Sequence, residues 1–124
     1  MFKGSCHCKK IRFQIKAENI YEDVYRCNCS LCIKKSIVMK AVPKELFTLL
    51  EGDEYLGLYK WNKNIAEHYF CKLCGVYTHH KRRRYPDQIA VNFACLDDLD
   101  LPEDIHIGLV VGLVMININK GFSP

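Results

Sequence analysis

Cysteine spacing constrains this chain more than any other feature. Eight cysteines fall into three clusters and a singleton: Cys6 and Cys8 in "SCHC", Cys27, Cys29 and Cys32 in "CNCSLC", Cys71 and Cys74 in "CKLCG", and Cys95 alone. An even count is compatible with a disulfide framework in a secreted domain. The start, "MFKGSCHCKK", however, has no apolar signal-peptide core. The expectation is therefore a reducing compartment, the cytoplasm, where clustered thiols are metal ligands rather than disulfides.

"CKLCG" has the form of a zinc knuckle. Two cysteines at this spacing aim both sulfurs at one metal, and Gly75 suits the tight backbone that follows. A knuckle needs a second pair to close its site, and "SCHC" is the other cluster with two cysteines. Cys6, Cys8, Cys71 and Cys74 are accordingly predicted to form a closed four-sulfur zinc site of structural type. Cys27, Cys29 and Cys32 remain. Three protein ligands and one open position make the arrangement of a catalytic zinc, so two zinc ions per chain are expected. A thiol substrate suits the open position, because zinc takes thiolate sulfur readily and lowers the thiol pKa. Two alternatives stay open. The fourth ligand is Cys95, His7, His68, His79 or His80, or the triple is a cluster of thiols without metal. Cys95, in the apolar run "AVNFACL", reads as a buried inert thiol, and His68 and His79 as half-buried strand residues.

The length fits one domain, and 49% hydrophobic with 26% charged residues is ordinary for a soluble globular chain. "KIRFQIK" alternates, with Ile11, Phe13 and Ile15 on one face, as a half-buried strand does. "SIVMKAV", "GVYTHH" and "QIAVNFACL" are further strands, and "EYLGLYKW" and "AEHYFC" form a hairpin about "NKN". "PKELFTLLEG" reads as a short helical turn with Pro43 at its first position. "IGLVVGLVMI", Ile107 to Ile116, is too short to cross a bilayer and reads as a buried strand. The fold class expected is mainly β: a compact antiparallel domain of short strands, with one or two short helices. The net charge of +4 is too small to announce a nucleic-acid binder, and neither nucleic acid nor membrane is expected as a partner. "KRRR", Lys81 to Arg84, reads first as a solvated loop. If functional, its guanidinium groups suit the carboxylates of a small acidic ligand.

Four motifs in order, "GSCHCKKIRFQI", "CNCSLCIKK", "YFCKLCGVYTHH" and "VNFACLDD", resemble the signatures of the glutathione-dependent formaldehyde-activating family, whose domain is shared with centromere protein V. The resemblance runs from Gly4 to about Asp98. It implies a β-tent-like fold of small antiparallel sheets pinned by zinc, a structural zinc at Cys6, Cys8, Cys71 and Cys74, and a catalytic zinc at Cys27, Cys29 and Cys32. It also implies the family's activity, the joining of glutathione to formaldehyde to give S-hydroxymethylglutathione, a carbon–sulfur lyase in the reverse sense. Glutathione or a similar small thiol is the partner implied, and an oligomer is compatible with it. Where relatives carry "CGAVRF" this chain has "CKKIRF", and its apolar end, residues 105–124, departs from the polar end of relatives. The rival expectation is a zinc-stabilised binding module without turnover. A redox or metal-buffering role for reduced thiols is a third.

Overall fold

The alternation of Ile11, Phe13 and Ile15 builds the first sheet of the computed structural model, which describes residues 1–27, 29–60, 66–99, 102 and 107–110. All three side chains are fully buried. Strand β1 (Phe2–Ser5) pairs antiparallel with β2 (Arg12–Ile15). On its other side β2 pairs with Phe47–Glu51, a strand rather than the continuation of a helix. The helical turn expected from Pro43 is limited to one 3-10 turn at Lys44–Leu46. Beyond it Phe47 stacks on Phe13, with ring centroids 5.6 Å apart, and Leu49 sits opposite Phe13 in the register. Burial against β2 outweighs the local helical preference.

The second sheet carries the other strands among the described residues. Numbered in chain order, its strands are β3 (Val24–Cys27), β4 (Met39–Pro43), β6 (Leu56–Tyr59), β7 (Glu67–Cys71), β8 (Tyr77–Lys81), β9 (Gln88–Asn92) and β10 (Gly108–Val110), with Phe47–Glu51 as β5. Their spatial order is β10-β3-β4-β9-β8-β7-β6. Every pairing in it is antiparallel except β10 with β3, which is parallel. The predicted hairpin is β6 and β7, with Tyr59 opposite His68; its "NKN" tip lies outside the described residues. One short helix, α1 (Ser30–Lys35), separates β3 from β4. It ends at Ser36, whose positive φ of 51° turns the chain out of the helix. The expected strand "SIVMKAV" therefore begins only at Met39. Of the apolar run from Ile107, Gly108–Val110 is strand, and Leu109 is 64% exposed; the remainder lies outside the described residues.

The main apolar core joins the two sheets through Phe13, Ile15, Val24, Val42, Val91 and Phe93. Lys40 on β4 is buried beneath the loop before β3, where its ammonium donates to the carbonyls of Asn19, at 3.2 Å, and Glu22. That satisfies a buried cation with backbone oxygens and fixes the approach to β3.

His79 on β8 is part of this core. Its ring stacks on Tyr69 at 4.8 Å and lies 4.6 Å from Phe47, and Thr78 Oγ1 is 2.9 Å from its Nδ1. Burial pushes its pKa down to about 4. The unfolded chain protonates this residue below about pH 6.5, so between those values the unfolded state holds more protons and stability falls as pH falls. His79→Phe is expected to remove this sensitivity. By urea unfolding, the variant should gain roughly 2 kcal/mol relative to the unaltered protein as pH falls from 7 to 4.5. A gap independent of pH would refute the assignment.

At Gly4 the sheet allows no side chain. A Cβ there would lie 2.3 Å from Phe13 Cζ and 2.9 Å from the Cys95 carbonyl oxygen. Phe13 cannot yield, being fully buried against Phe47 and His79. Gly4→Ala is expected to cost about 1–3 kcal/mol by overpacking, read as a lower urea midpoint with an unchanged slope.

Candidate metal centres

Two turns bring the first cluster together. After β1 the chain reverses at residues 6–11, held by Cys6 N–H to Ile11 O at 3.1 Å and Lys9 N–H to Cys6 O at 3.2 Å. Lys9 occupies the left-handed region with φ of 69°, the conformation that glycine takes without strain. Here the ammonium compensates in part, lying 3.4 Å from Ser5 Oγ and 3.6 Å from Asp97. The second turn follows β7, where Gly75 at φ 78° lets its N–H reach Cys71 O at 2.8 Å. Cys6, Cys8, Cys71 and Cys74 thereby converge, all four sulfurs within 4.8 Å of one another. Backbone N–H groups point at the sulfurs: Ile11 at Cys6 (3.4 Å), and Leu73 and Cys74 at Cys71 (3.3 and 3.4 Å). Such donors stabilise thiolate charge.

The second cluster joins a strand end to a helix start. Cys27 closes β3, Cys29 caps α1, and Cys32 lies in its first turn. Cys29 Sγ accepts from Cys32 N–H at 3.3 Å, so one sulfur both caps the helix and faces the cluster. All three thiols are buried and mutually within 4.8 Å. Like charges this close cannot all form unaided. Hydrogen bonds from Cys27 and Cys32 draw Cys29 down to about 3, whereas its bond to Cys29 pushes Cys27 up to about 11. Cys32 is raised further, first by its bond to Cys27. One thiolate is thus held by two thiol donors, a group that a cation would ionise fully. All-sulfur donor sets of this kind fit a soft or borderline metal such as zinc.

The residues considered as a fourth ligand lie elsewhere. No histidine, carboxylate or further cysteine among the described residues joins either group within the 4.8 Å limit. Cys95 sits in a 3-10 turn after β9, rather than within the strand, and its buried thiol donates to Tyr77 O at 3.4 Å. Its pKa is pushed up to about 12 by burial. His7 is exposed beside the first cluster. His79 is in the core described above.

His68 and His80, in contrast, line a narrow cavity with Cys27, Cys32, Tyr25 and the guanidinium-bearing loop Arg82–Arg84. Arg82 is held in place by Gln88 Oε1 at 2.7 Å and by the rings of Tyr25 and Tyr85, each 4.6 Å away. The end of α1 adds another cation: Lys35 Nζ lies 3.2 Å from His68 Nδ1 and 3.7 Å from the centre of the Tyr77 ring. Burial lowers the Lys35 pKa, and the three nearby sulfurs oppose that shift. Sequence reasoning did not single out Lys35 or assign His68 to this wall. The signal for Lys35 is its place one turn after Cys32 in "CSLCIKK".

No helix among the described residues is long and apolar enough to cross a membrane. The chain is similar to a Rhodobacter sphaeroides protein of known crystal structure, with 33% identity and a TM-score of 0.80 over 87% of this chain and 99% of that one. Residues 1–107, which include both cysteine clusters and the cavity, match the family model described as glutathione-dependent formaldehyde-activating enzyme. The chain belongs to the glutathione-dependent formaldehyde-activating enzyme family.

Proposed function

We propose that the chain is a zinc-dependent enzyme that adds the thiol of glutathione, or of a similar small acidic thiol, to formaldehyde or another small aldehyde. In the reverse direction it is a carbon–sulfur lyase. The observation that carries this reading is the unequal pair of clusters: four converging thiols in one, three beneath a cation-lined cavity in the other. Cys6, Cys8, Cys71 and Cys74 hold a structural zinc. Cys27, Cys29 and Cys32 would hold a second, beside the cavity that Cys27 and Cys32 line. Zinc at such a site stabilises a substrate thiol as thiolate at neutral pH.

The protein's own groups do the rest. Arg82, Arg83 and Arg84 line the cavity and hold the carboxylates of the thiol substrate. Tyr25 gives Arg82 an aromatic face to stack on, which orients its guanidinium. Burial of the three cysteines keeps water from the reacting sulfur and strengthens every charge interaction near it.

Metal analysis separates the two roles. The protein is expected to bind two zinc ions per chain, and Cys29→Ser to bind one. Serine is also a good helix cap, so this variant keeps α1 while losing a ligand. Its thermal midpoint should change little, and its turnover should fall by about 100-fold or more. Cys71→Ser should lose the folded state itself, as structural zinc sites contribute folding energy directly. A zinc stoichiometry of one in the unaltered protein would sink the two-site reading. If Cys29→Ser unfolds as Cys71→Ser does, and no aldehyde is turned over, the chain is a zinc-stabilised binding module.

The cationic wall has a separate signature. Arg83→Gln should raise KM for glutathione about 10-fold with kcat nearly unchanged, the pattern of lost binding without lost transition-state contact. For cysteamine, which has no carboxylate, KM should not respond. Equal effects on both thiols would refute carboxylate recognition.

A further inference from the structure

His68 on β7 has one ring nitrogen that nothing satisfies. The residue is 2% exposed, and Nε2 is the buried side-chain nitrogen or oxygen without a hydrogen-bond partner among the described residues. An orphan of this kind costs on the order of 1–3 kcal/mol and marks a place for a ligand or an ordered water. The other ring nitrogen is engaged. Nδ1 lies 3.2 Å from Lys35 Nζ and 3.4 Å from Tyr77 Oη.

With Lys35 charged, these contacts decide which nitrogen carries the proton. An ammonium only donates, so Nδ1 facing Lys35 is an acceptor. The Tyr77 ring beneath the ammonium, 3.7 Å away, favours its charged form. The Tyr77 hydroxyl lies against His80 Nδ1 as well, within hydrogen-bond range. The His68 ring is neutral near pH 7, since burial, and then the Lys35 charge, lower its pKa to about 4. A neutral ring accepting at Nδ1 holds its proton at Nε2. The unsatisfied group is therefore an N–H donor, and its side chain shares the cavity with Cys27 and Cys32.

We propose that His68 Nε2–H donates to the aldehyde oxygen of the substrate, acting as the oxyanion donor of the reaction. This role rests on the addition chemistry proposed above. In that step the sulfur lone pair of the substrate thiolate forms the C–S bond, and the C=O π pair moves onto oxygen. The Nε2–H hydrogen bond strengthens as that charge grows. The oxyanion is then protonated from solvent, which received the proton released when the substrate thiol ionised, and His68 keeps its proton at Nε2 throughout. The sum is thiol plus aldehyde giving hemithioacetal, with no electron acceptor needed. Lys35 itself acts through His68 and is a positioning residue: it holds the tautomer.

The test begins with the unaltered, zinc-loaded protein. Histidine 15N NMR at pH 7 should show His68 as the neutral Nε2–H tautomer; an Nδ1–H tautomer overturns the proposal without any appeal to turnover. His68→Phe should then lower kcat with glutathione and formaldehyde by about 100-fold or more, the effect of removing one oxyanion donor. Zinc content should stay at two, and KM for glutathione should move by less than about 3-fold. His68→Gln, whose amide N–H2 stands near the position of Nε2, should restore most of the rate. Full kcat in His68→Phe overturns the role of His68 while leaving the reaction intact. Loss of one zinc in His68→Phe overturns it differently, by making His68 a ligand. Absence of turnover in the unaltered protein sinks the reaction first and this role with it.

Discussion

Sulfur atoms held within 4.8 Å of one another cannot all ionise without a cation among them. That constraint occurs twice in this chain, and the rest of the structure is arranged around it. At the first cluster it ties the turn after β1 to the turn after β7, bringing residues 6 and 8 beside one sheet to 71 and 74 beside the other. At the second it joins the end of β3 to the start of α1 over a few residues. A long-range clip restrains the unfolded chain far more than a local one does. On the proposed reading, the same chemistry weighs on folding at one cluster and is free for other work at the second.

Charge balance links the second cluster to its surroundings. Three thiolates and a divalent cation sum to one negative charge, which a buried site has to neutralise nearby. Lys35 stands at the other end of the same short helix, and Arg82 is clamped beside the cavity by two aromatic rings and Gln88. The cations that would receive an acidic substrate also temper the field of the sulfurs. The loop "KRRR", a solvated turn by composition, becomes a wall because Arg82 folds back over Tyr25.

Much of this was legible in the sequence, and what was not has physical causes. The cysteine clusters sort themselves by count and spacing. The core face of β2 follows from strict alternation, and β6 with β7 from two apolar runs about a polar tip. Strand β5 was not legible, because "FTLLE" continues a plausible helix and only its burial against Phe13 decides otherwise. Helix α1 hides within the cysteine spacing: its cap is a ligand-type side chain rather than the usual serine or aspartate. The departure "CKKIRF" looks disruptive in sequence, yet Lys9 takes up the left-handed turn and anchors it through Asp97. His68 reads as an ordinary strand residue; its significance depends on Lys35, which comes from a different element.

The parallel partner of β3 has one more consequence. Leu109 and Val110 lie opposite Arg26 and Cys27, so the strand that delivers a cluster sulfur has neighbours on both sides. Removing β10 would turn β3 into an outer strand, open to pairing with a stray backbone. Yet β10 begins at Gly108, just past the stretch shared with the family. The join is made by main-chain donors and acceptors, and these are blind to side-chain identity. A terminus of quite different composition can therefore shield the same edge, which frees this segment to drift in sequence while the sulfur beside it stays where it is.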